Sequence, residues 1–234
     1  MNNKNKITDN IAFFKEKGFV ILEDVFSREE CDLVIETAHD ILGENNKDLT
    51  PLMNIHKSSN NIQKFMSKPI LINFIEQFFQ GTALGLQTEF FFMPPKTVGF
   101  NPHQDNSYVN AAANSFVSAW VALTDIDKSN GGLIIWPETH VENRLDTIKT
   151  GLSKSKNQDP NAVLKETVIP EKYDSKDVVI KKGSVLMIHS WLVHASNTNN
   201  SSKNRYVLLC TYLKQNSNFR EGIYAKREPF HLTS

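Results

Sequence analysis

From Leu84 onward the chain breaks into short apolar or aromatic runs divided by turn residues: LGLQTEFFFM, FVSAWVAL, GGLIIWP, DVVI, GSVLMIH and RYVLLCTYL. Repeated short strands punctuated by Gly, Pro and Asn point to an all-β sandwich or barrel. Ahead of them the pattern is helical. DNIAFFKEK (9–17) reads as a short helix stopped by Gly18, and FVIL (19–22) as a strand. SREE (27–30) is a capping box, with Ser27 at the N-cap and Glu30 reaching back. Cys31, Val34, Ile35, Ala38, Ile41 and Leu42 follow at helical spacing. A further helix is expected from Pro69 to Phe79, burying Ile70, Leu71, Phe74, Ile75 and Phe78 and closed by Gly81. The expectation is one domain over 1–234, mainly β with flanking α. Its helical part covers about 1–82 and its β core about 83–215. The long polar stretch 141–177 is a possible lid.

Composition narrows the function. Lys plus Arg equals Asp plus Glu, 26 of each, so the chain lacks the basic excess that nucleic-acid binding favours. Cys31 and Cys210 fit no CxxC pattern and read as buried free thiols in a reducing compartment. MNNKNKITDN has no apolar signal core, and no apolar run is long enough to span a membrane. A cytoplasmic protein acting on a small molecule, with neither nucleic acid nor membrane as partner, is the expectation. Nothing in the sequence selects an oligomeric state.

The chemistry is suggested by PPKTVGFNPHQDNSY, residues 94–108. In an extended strand alternate side chains leave the same face, so His103 and Asp105 would point together and Gln104 away. One imidazole and one carboxylate make two-thirds of the 2-His-1-carboxylate triad that holds non-haem Fe(II). H-x-D alone is common, so a second histidine is needed. KKGSVLMIHSWLVHASNTNNSSKNRYVLLCTYL (181–213) offers His189 and His194, which have opposite parity in a strand. His194 is the better candidate, because a turn follows it at once and Ser196 shares its face. His189 would then be a packed or hydrogen-bonded neighbour. Past the Asn-rich turn, Arg205 opens the next strand and can return to the same place. A fixed guanidinium fork suits the distal carboxylate of 2-oxoglutarate.

Taken in order, HQD (103–105), GGLIIWPETH (131–140) and the His194-Ala-Ser-to-Arg205 spacing resemble the phytanoyl-CoA dioxygenase family of Fe(II)/2-oxoglutarate oxygenases. The resemblance runs from FFKEKGFVILEDVFSREECD to Leu213. It implies a double-stranded β-helix, a cupin-like jelly roll flanked by N-terminal helices. It also implies His103, Asp105 and His194 as iron ligands, Arg205 and Ser196 on the 2-oxoglutarate C5 carboxylate, and Trp120 on the cofactor wall. Gln87, on the strand before the Pro-Pro pair, is a further candidate for contact with cofactor or substrate. The sequence departs from the family at Met93, where members often carry Lys, and at Pro102, where many have an aromatic. His56 is expected at the surface and His140 in a structural turn.

The implied reaction couples decarboxylation of 2-oxoglutarate by O2, with release of succinate and CO2, to hydroxylation of an unactivated C–H bond. Asp105 favours hydroxylation over halogenation, since a related halogenase would carry a small residue there. Desaturation, cyclisation and epimerisation use the same ligands. Phe90, Phe92, Tyr108, Trp136 and the 141–177 stretch are candidate pocket walls, and a small polar metabolite fits better than a long acyl-CoA. Two rivals remain: a non-catalytic jelly-roll binding protein, and a cupin-type metal-dependent isomerase or lyase. A decayed binding site would be expected to lose at least one of the three ligands or Arg205, and the isomerase or lyase has no obvious use for Arg205.

Overall fold

The computed structural model describes residues 3–43, 49–150 and 165–233. Helix α1 (Asn3–Lys17) begins earlier than the expected Asp9 and ends where Gly18 takes a left-handed φ of 79°. A side chain at Gly18 would also collide with the His140 ring, because a Cβ there would lie 2.5 Å from Nδ1. Strand β1 (Phe19–Leu22) leads to α2 (Arg28–Leu42), whose capping box forms as read: Glu30 N–H donates to the Ser27 hydroxyl, and Ser27 N–H to the Glu30 carboxylate. Cys31, Val34 and Ala38 carry its buried face, while Ile41 is exposed. After β2 (Leu52–Met53) come α3 (Asn60–Met66) and α4 (Pro69–Phe79).

Two expectations about α4 need correction. Ile70 is exposed, because the buried stripe is Leu71, Phe74, Ile75 and Phe78 with Phe79 added. The helix is closed by Gln80 in the left-handed region, with Gly81 N–H donating to Glu76 O. Phe14 of α1 meets Phe74 and Phe78 edge-on at ring-centroid distances of 5.3 and 4.9 Å, which fixes the helices to each other.

The β part comprises β3 (Ala83–Phe91), the one-turn α5 (Asn106–Val109), β4 (Phe116–Ala122), β5 (Leu133–Trp136), β6 (Thr147–Lys149), β7 (Lys165–Thr167), β8 (Lys176–Asp177), β9 (Val185–His189), β10 (Val193–Ser196), β11 (Val207–Lys214) and β12 (Phe230–His231). Every pairing among the described residues is antiparallel. A large sheet runs β1-β9-β4-β11-β3-β12 with β2 also on β3, and a small sheet runs β10-β5-β8. β6 and β7 form a separate ribbon inside the expected lid; residues 151–164 of that stretch lie outside the described ones.

Strand parity divides the large sheet into two faces. Phe90, Val117, Ala119, Val121, Met187, Leu208 and Cys210 pack against the helices. Trp120, Ala122, Leu186, Ile188 and Val207 face inward, against Leu133 and Ile135 of the small sheet. The result is an open, cupin-like jelly roll with flanking helices. Parity also corrects three of the expected pocket walls. Phe90 and Phe92 lie wholly buried on the helix side, with His39 5.2 Å from Phe92. Trp136 pairs with Val193 and so faces away from the side that Ile135 and His194 share. Both free cysteines are buried, as expected, and burial pushes the Cys31 thiol up to about 11. Among the described residues no helix is long and apolar enough to cross a membrane.

Candidate metal centre

The loop before His103 reaches β10 because Gly99 has no side chain: a Cβ there would lie 2.0 Å from Ser196 O. Phe100 N–H donates to the Ser196 hydroxyl at 2.8 Å, and Ser196 N–H donates back to Phe100 O at 3.1 Å. One step further, His103 and His194 exchange main-chain hydrogen bonds in both directions, at 2.9 and 3.0 Å. This bridge places the two imidazoles side by side, with ring centroids 4.2 Å apart.

Asp105 arrives differently from the alternating-strand expectation. Its backbone is already helical, with φ −56° and ψ −38°, at the entrance to α5. The chain turns a corner after His103, and that corner swings the carboxylate back toward both rings. Gln104 does point elsewhere: its amide N–H groups donate to Asn143 O and Trp191 O, and its carbonyl accepts from Leu145 N–H. Thr167 N–H of β7 donates to Pro102 O, so both described flanks of the 141–177 stretch are tied to this corner.

One donor atom from each of His103, Asp105 and His194 lies within 4.8 Å of the others. Asp105 Oδ1 stands 3.7 Å from His103 Nε2 and 3.5 Å from His194 Nε2. Each ring presents Nε2 because its Nδ1 faces a main-chain carbonyl, Asn101 O at 2.7 Å for His103 and Leu192 O at 3.2 Å for His194. A carbonyl only accepts, so Nδ1 carries the proton and Nε2 keeps its lone pair. Burial, followed by the adjacent His194, lowers the His103 pKa to about 4 against the pull of Asp105. A neutral imidazole is the form that binds a metal. The other carboxylate oxygen, Oδ2, accepts from the Ser118 hydroxyl at 2.6 Å. Ser118 was not singled out in the sequence, where it is one small residue in an apolar strand. Two imidazoles and one carboxylate oxygen, each oriented by a further partner, fit a divalent iron.

Arg205 lies just ahead of β11 and is 3% exposed. Its Nη2 donates to Gly131 O at 3.0 Å, its guanidinium carbon lies 5.4 Å from the Trp120 ring centroid, and its Nε has no partner. Burial alone lowers its pKa, to about 9, with no acidic neighbour opposing it. Among the described residues Arg205 has no counter-ion, and a buried cation in that state is costly, which suits a site completed by an anion. Ser196, two residues beyond His194, accepts from Phe100 N–H and keeps its own proton to donate. Met93 supplies the carbonyl that accepts Arg205 N–H. Its methyl group and Arg205 Nε come within 3.3 and 3.6 Å of one point above Gly131. At this point the chain places a thioether beside the Arg205 guanidinium.

Gln87 points inward, opposite Thr211, which in turn is opposite Ser118. Tyr108 is near the site, its ring 6.3 Å from that of His103. His189 faces the helices among Phe14 and Phe78, and His140 sits in a turn with Nε2 on Lys15 O. His56 is buried, contrary to the surface expectation. It stacks on Phe230 at 4.6 Å and its Nδ1 lies 2.9 Å from the Thr88 hydroxyl, while burial lowers its pKa to about 4.

A jelly roll that gathers two histidines and a carboxylate on its inner face has the 2-His-1-carboxylate arrangement of mononuclear non-haem metal sites. The profile of the phytanoyl-CoA dioxygenase (PhyH) family matches residues 14–207, and the chain belongs to that family. It is 34% identical over 125 residues to a phytanoyl-CoA dioxygenase of Arabidopsis thaliana, a match covering 52% of this chain and 41% of that protein. It is 28% identical over 207 residues to the phytanoyl-CoA dioxygenase domain-containing protein 1 of Danio rerio, covering 85% of this chain and 64% of the relative. The chain thus spans about half the length of the curated relatives it matches. Its fold superimposes with a TM-score of 0.72, at 16% identity, on the epimerase SnoN in complex with Fe3+, alpha ketoglutarate and nogalamycin RO, covering 93% of this chain and 87% of that one.

Proposed function

We propose that the protein is an Fe(II)- and 2-oxoglutarate-dependent oxygenase that hydroxylates an unactivated C–H bond of a small metabolite. The observation that carries this reading is Arg205, a buried cation without an acidic partner among the described residues, on the same inner face as the His103, Asp105 and His194 cluster. An isomerase or lyase on a similar barrel has no need of such a cation, and a binding module has no need of the oriented triad.

His103, Asp105 and His194 would hold the iron. Arg205 and the Ser196 hydroxyl would take the distal carboxylate of 2-oxoglutarate, with Trp120 as the wall and Gln87 available to cosubstrate or substrate. Iron with 2-oxoglutarate and O2 supplies an oxidant strong enough to take hydrogen from carbon, releasing succinate and CO2. The chain's own work is to fix and shield. Asn101 O and Leu192 O hold the imidazole tautomers, Ser118 holds Asp105, and the apolar walls around Trp120 exclude water. Asp105 also fills the position that a halogenase would leave open, which favours hydroxylation.

Protein supplied with Fe(II), 2-oxoglutarate and air should release succinate above background even without a substrate, and His194→Ala should abolish the excess. Iron-loaded wild-type protein that releases no more succinate than buffer overturns the reading.

A further inference from the structure

The inner face of β3 carries a charge that the chemistry above does not use. Glu89 pairs with Leu209, and Leu209 with Trp120, so the three share one face. Trp120 packs under Arg205, which makes that face the interior. The neighbouring row is Gln87, Thr211 and Ser118, and Ser118 holds Asp105. Glu89 therefore stands one row from the metal-ligand carboxylate, half-buried on the cavity side.

After β11 the chain doubles back along the free side of β3. Arg220 N–H donates to Val109 O at 2.6 Å, and Asn54 Nδ2 to Ala225 O at 2.7 Å. Phe230 of β12 pairs with Gly85 and fills the space that a Cβ there would occupy. This strap carries Arg227 to the rim. Its Nη1 reaches Arg220 O, Glu221 O and Tyr108 O at 3.2, 3.3 and 3.4 Å, and the Tyr108 ring is the one beside His103. Burial draws its pKa down, Asp105 and Glu89 oppose this, and the neighbouring Arg220 adds to the lowering. Arg227 is thus anchored by one nitrogen, with the metal-ligand carboxylate and Glu89 as its acidic neighbours.

We propose that Glu89 and Arg227 read the two ends of a small zwitterionic substrate, an amino acid or close derivative, with its ammonium toward Glu89 and its carboxylate toward Arg227. The proposal rests on the oxygenase reading. A divalent iron, Asp105, a dianionic cosubstrate and Arg205 together cancel in charge. Glu89 and Arg227 add one charge of each sign near the metal-ligand carboxylate, which suits a substrate that carries separated opposite charges. A coenzyme A thioester is a polyanion, and Glu89 would repel it.

The test uses wild-type protein loaded anaerobically with Fe(II) and 2-oxoglutarate. The probes are the free proteinogenic L-amino acids with their N-acetyl and methyl-ester derivatives. At least one free amino acid should shift the visible band of the iron chelate and, in air, stimulate succinate release. Blocking either of its charged ends should weaken binding by about tenfold or more. Glu89→Gln should erase the penalty for N-acetylation and Arg227→Met the penalty for esterification, each with an unchanged 2-oxoglutarate titration. A merely structural role for the strap would move neither preference. A normal chelate band that no amino acid shifts, blocked derivatives that bind as well as their parents, or variants that keep both penalties would overturn the proposal. Loss of the chelate band itself in the wild type would mark failure of the oxygenase reading and take the proposal with it.

Discussion

Among the described residues two pairs of histidines pack ring to ring, and one of them has the makings of a metal site. The His103 and His194 rings are 4.2 Å apart, and the His140 and His189 rings 4.8 Å. A cavity of about 470 Å³ beside His140 and His189 even offers room. The difference lies in how the nitrogens are spent. His189 Nε2 is on Asn114 Oδ1 and its Nδ1 accepts Trp191 N–H, while His140 gives Nε2 to Lys15 O and turns Nδ1 against Gly18. His103 and His194 instead anchor Nδ1 and leave both Nε2 atoms facing one carboxylate oxygen. Proximity of imidazoles is cheap; what distinguishes the site is a convergent set of uncommitted lone pairs.

That contrast can be broken from either side. Asp105→Ala should have the largest functional effect, bringing 2-oxoglutarate turnover to background while the fold survives, as circular dichroism would show. His189→Ala should do the reverse. It removes a buried ring and its hydrogen bonds, so unfolding in urea should show a loss of about 2–4 kcal/mol, and the remaining folded protein should bind Fe(II) as the wild type does. Ser118→Ala tests the orienting shell alone, with iron affinity expected to fall roughly 10–100-fold and stability to change little.

The smallest effect is a pH dependence. Burial, then the nearby His140, holds His189 at about 3 against an ordinary 6.5. Since the pKa of this base is lower in the folded state, the unfolded chain takes up the proton first as the pH falls. The contribution is complete above the unfolded value and is lost on descending from it, with on the order of 2 kcal/mol gone by about pH 5. His56, lowered to about 4 by burial, acts in the same direction. Urea midpoints at neutral pH and near pH 5 would show the loss, and His189→Asn should flatten it.

Much of the site could be read from the chain because strand parity is a strict rule. It separated His194 from His189, placed Ser196 beside His194, and brought Arg205 back across the turn. The same rule failed for Asp105, where the strand ends and a helical corner does the work, although the outcome was the same convergence. Parity also needs a direction, and an apolar strand buried on both faces gives none; hence Phe90 and Phe92 read as pocket walls in the sequence yet pack against helices. Ser118 was invisible because its role depends on a hydrogen bond to a residue thirteen positions away. The strap through Arg227 lies past Leu213, where the motifs end. His56 was misplaced because the Phe230 that covers it comes from that same strap.

The most direct measurement is an anaerobic titration of the Fe(II)-loaded protein with 2-oxoglutarate, followed by the weak visible charge-transfer band of the chelate, in the wild type and Arg205→Ala. The wild type should give a saturable band, and the variant should need about thirtyfold or more 2-oxoglutarate to reach it, as expected when one partner of a buried charge pair is removed. A folded, iron-loaded wild type with no band, or a variant that titrates like the wild type, would contradict the assignment of Arg205 as the cosubstrate anchor.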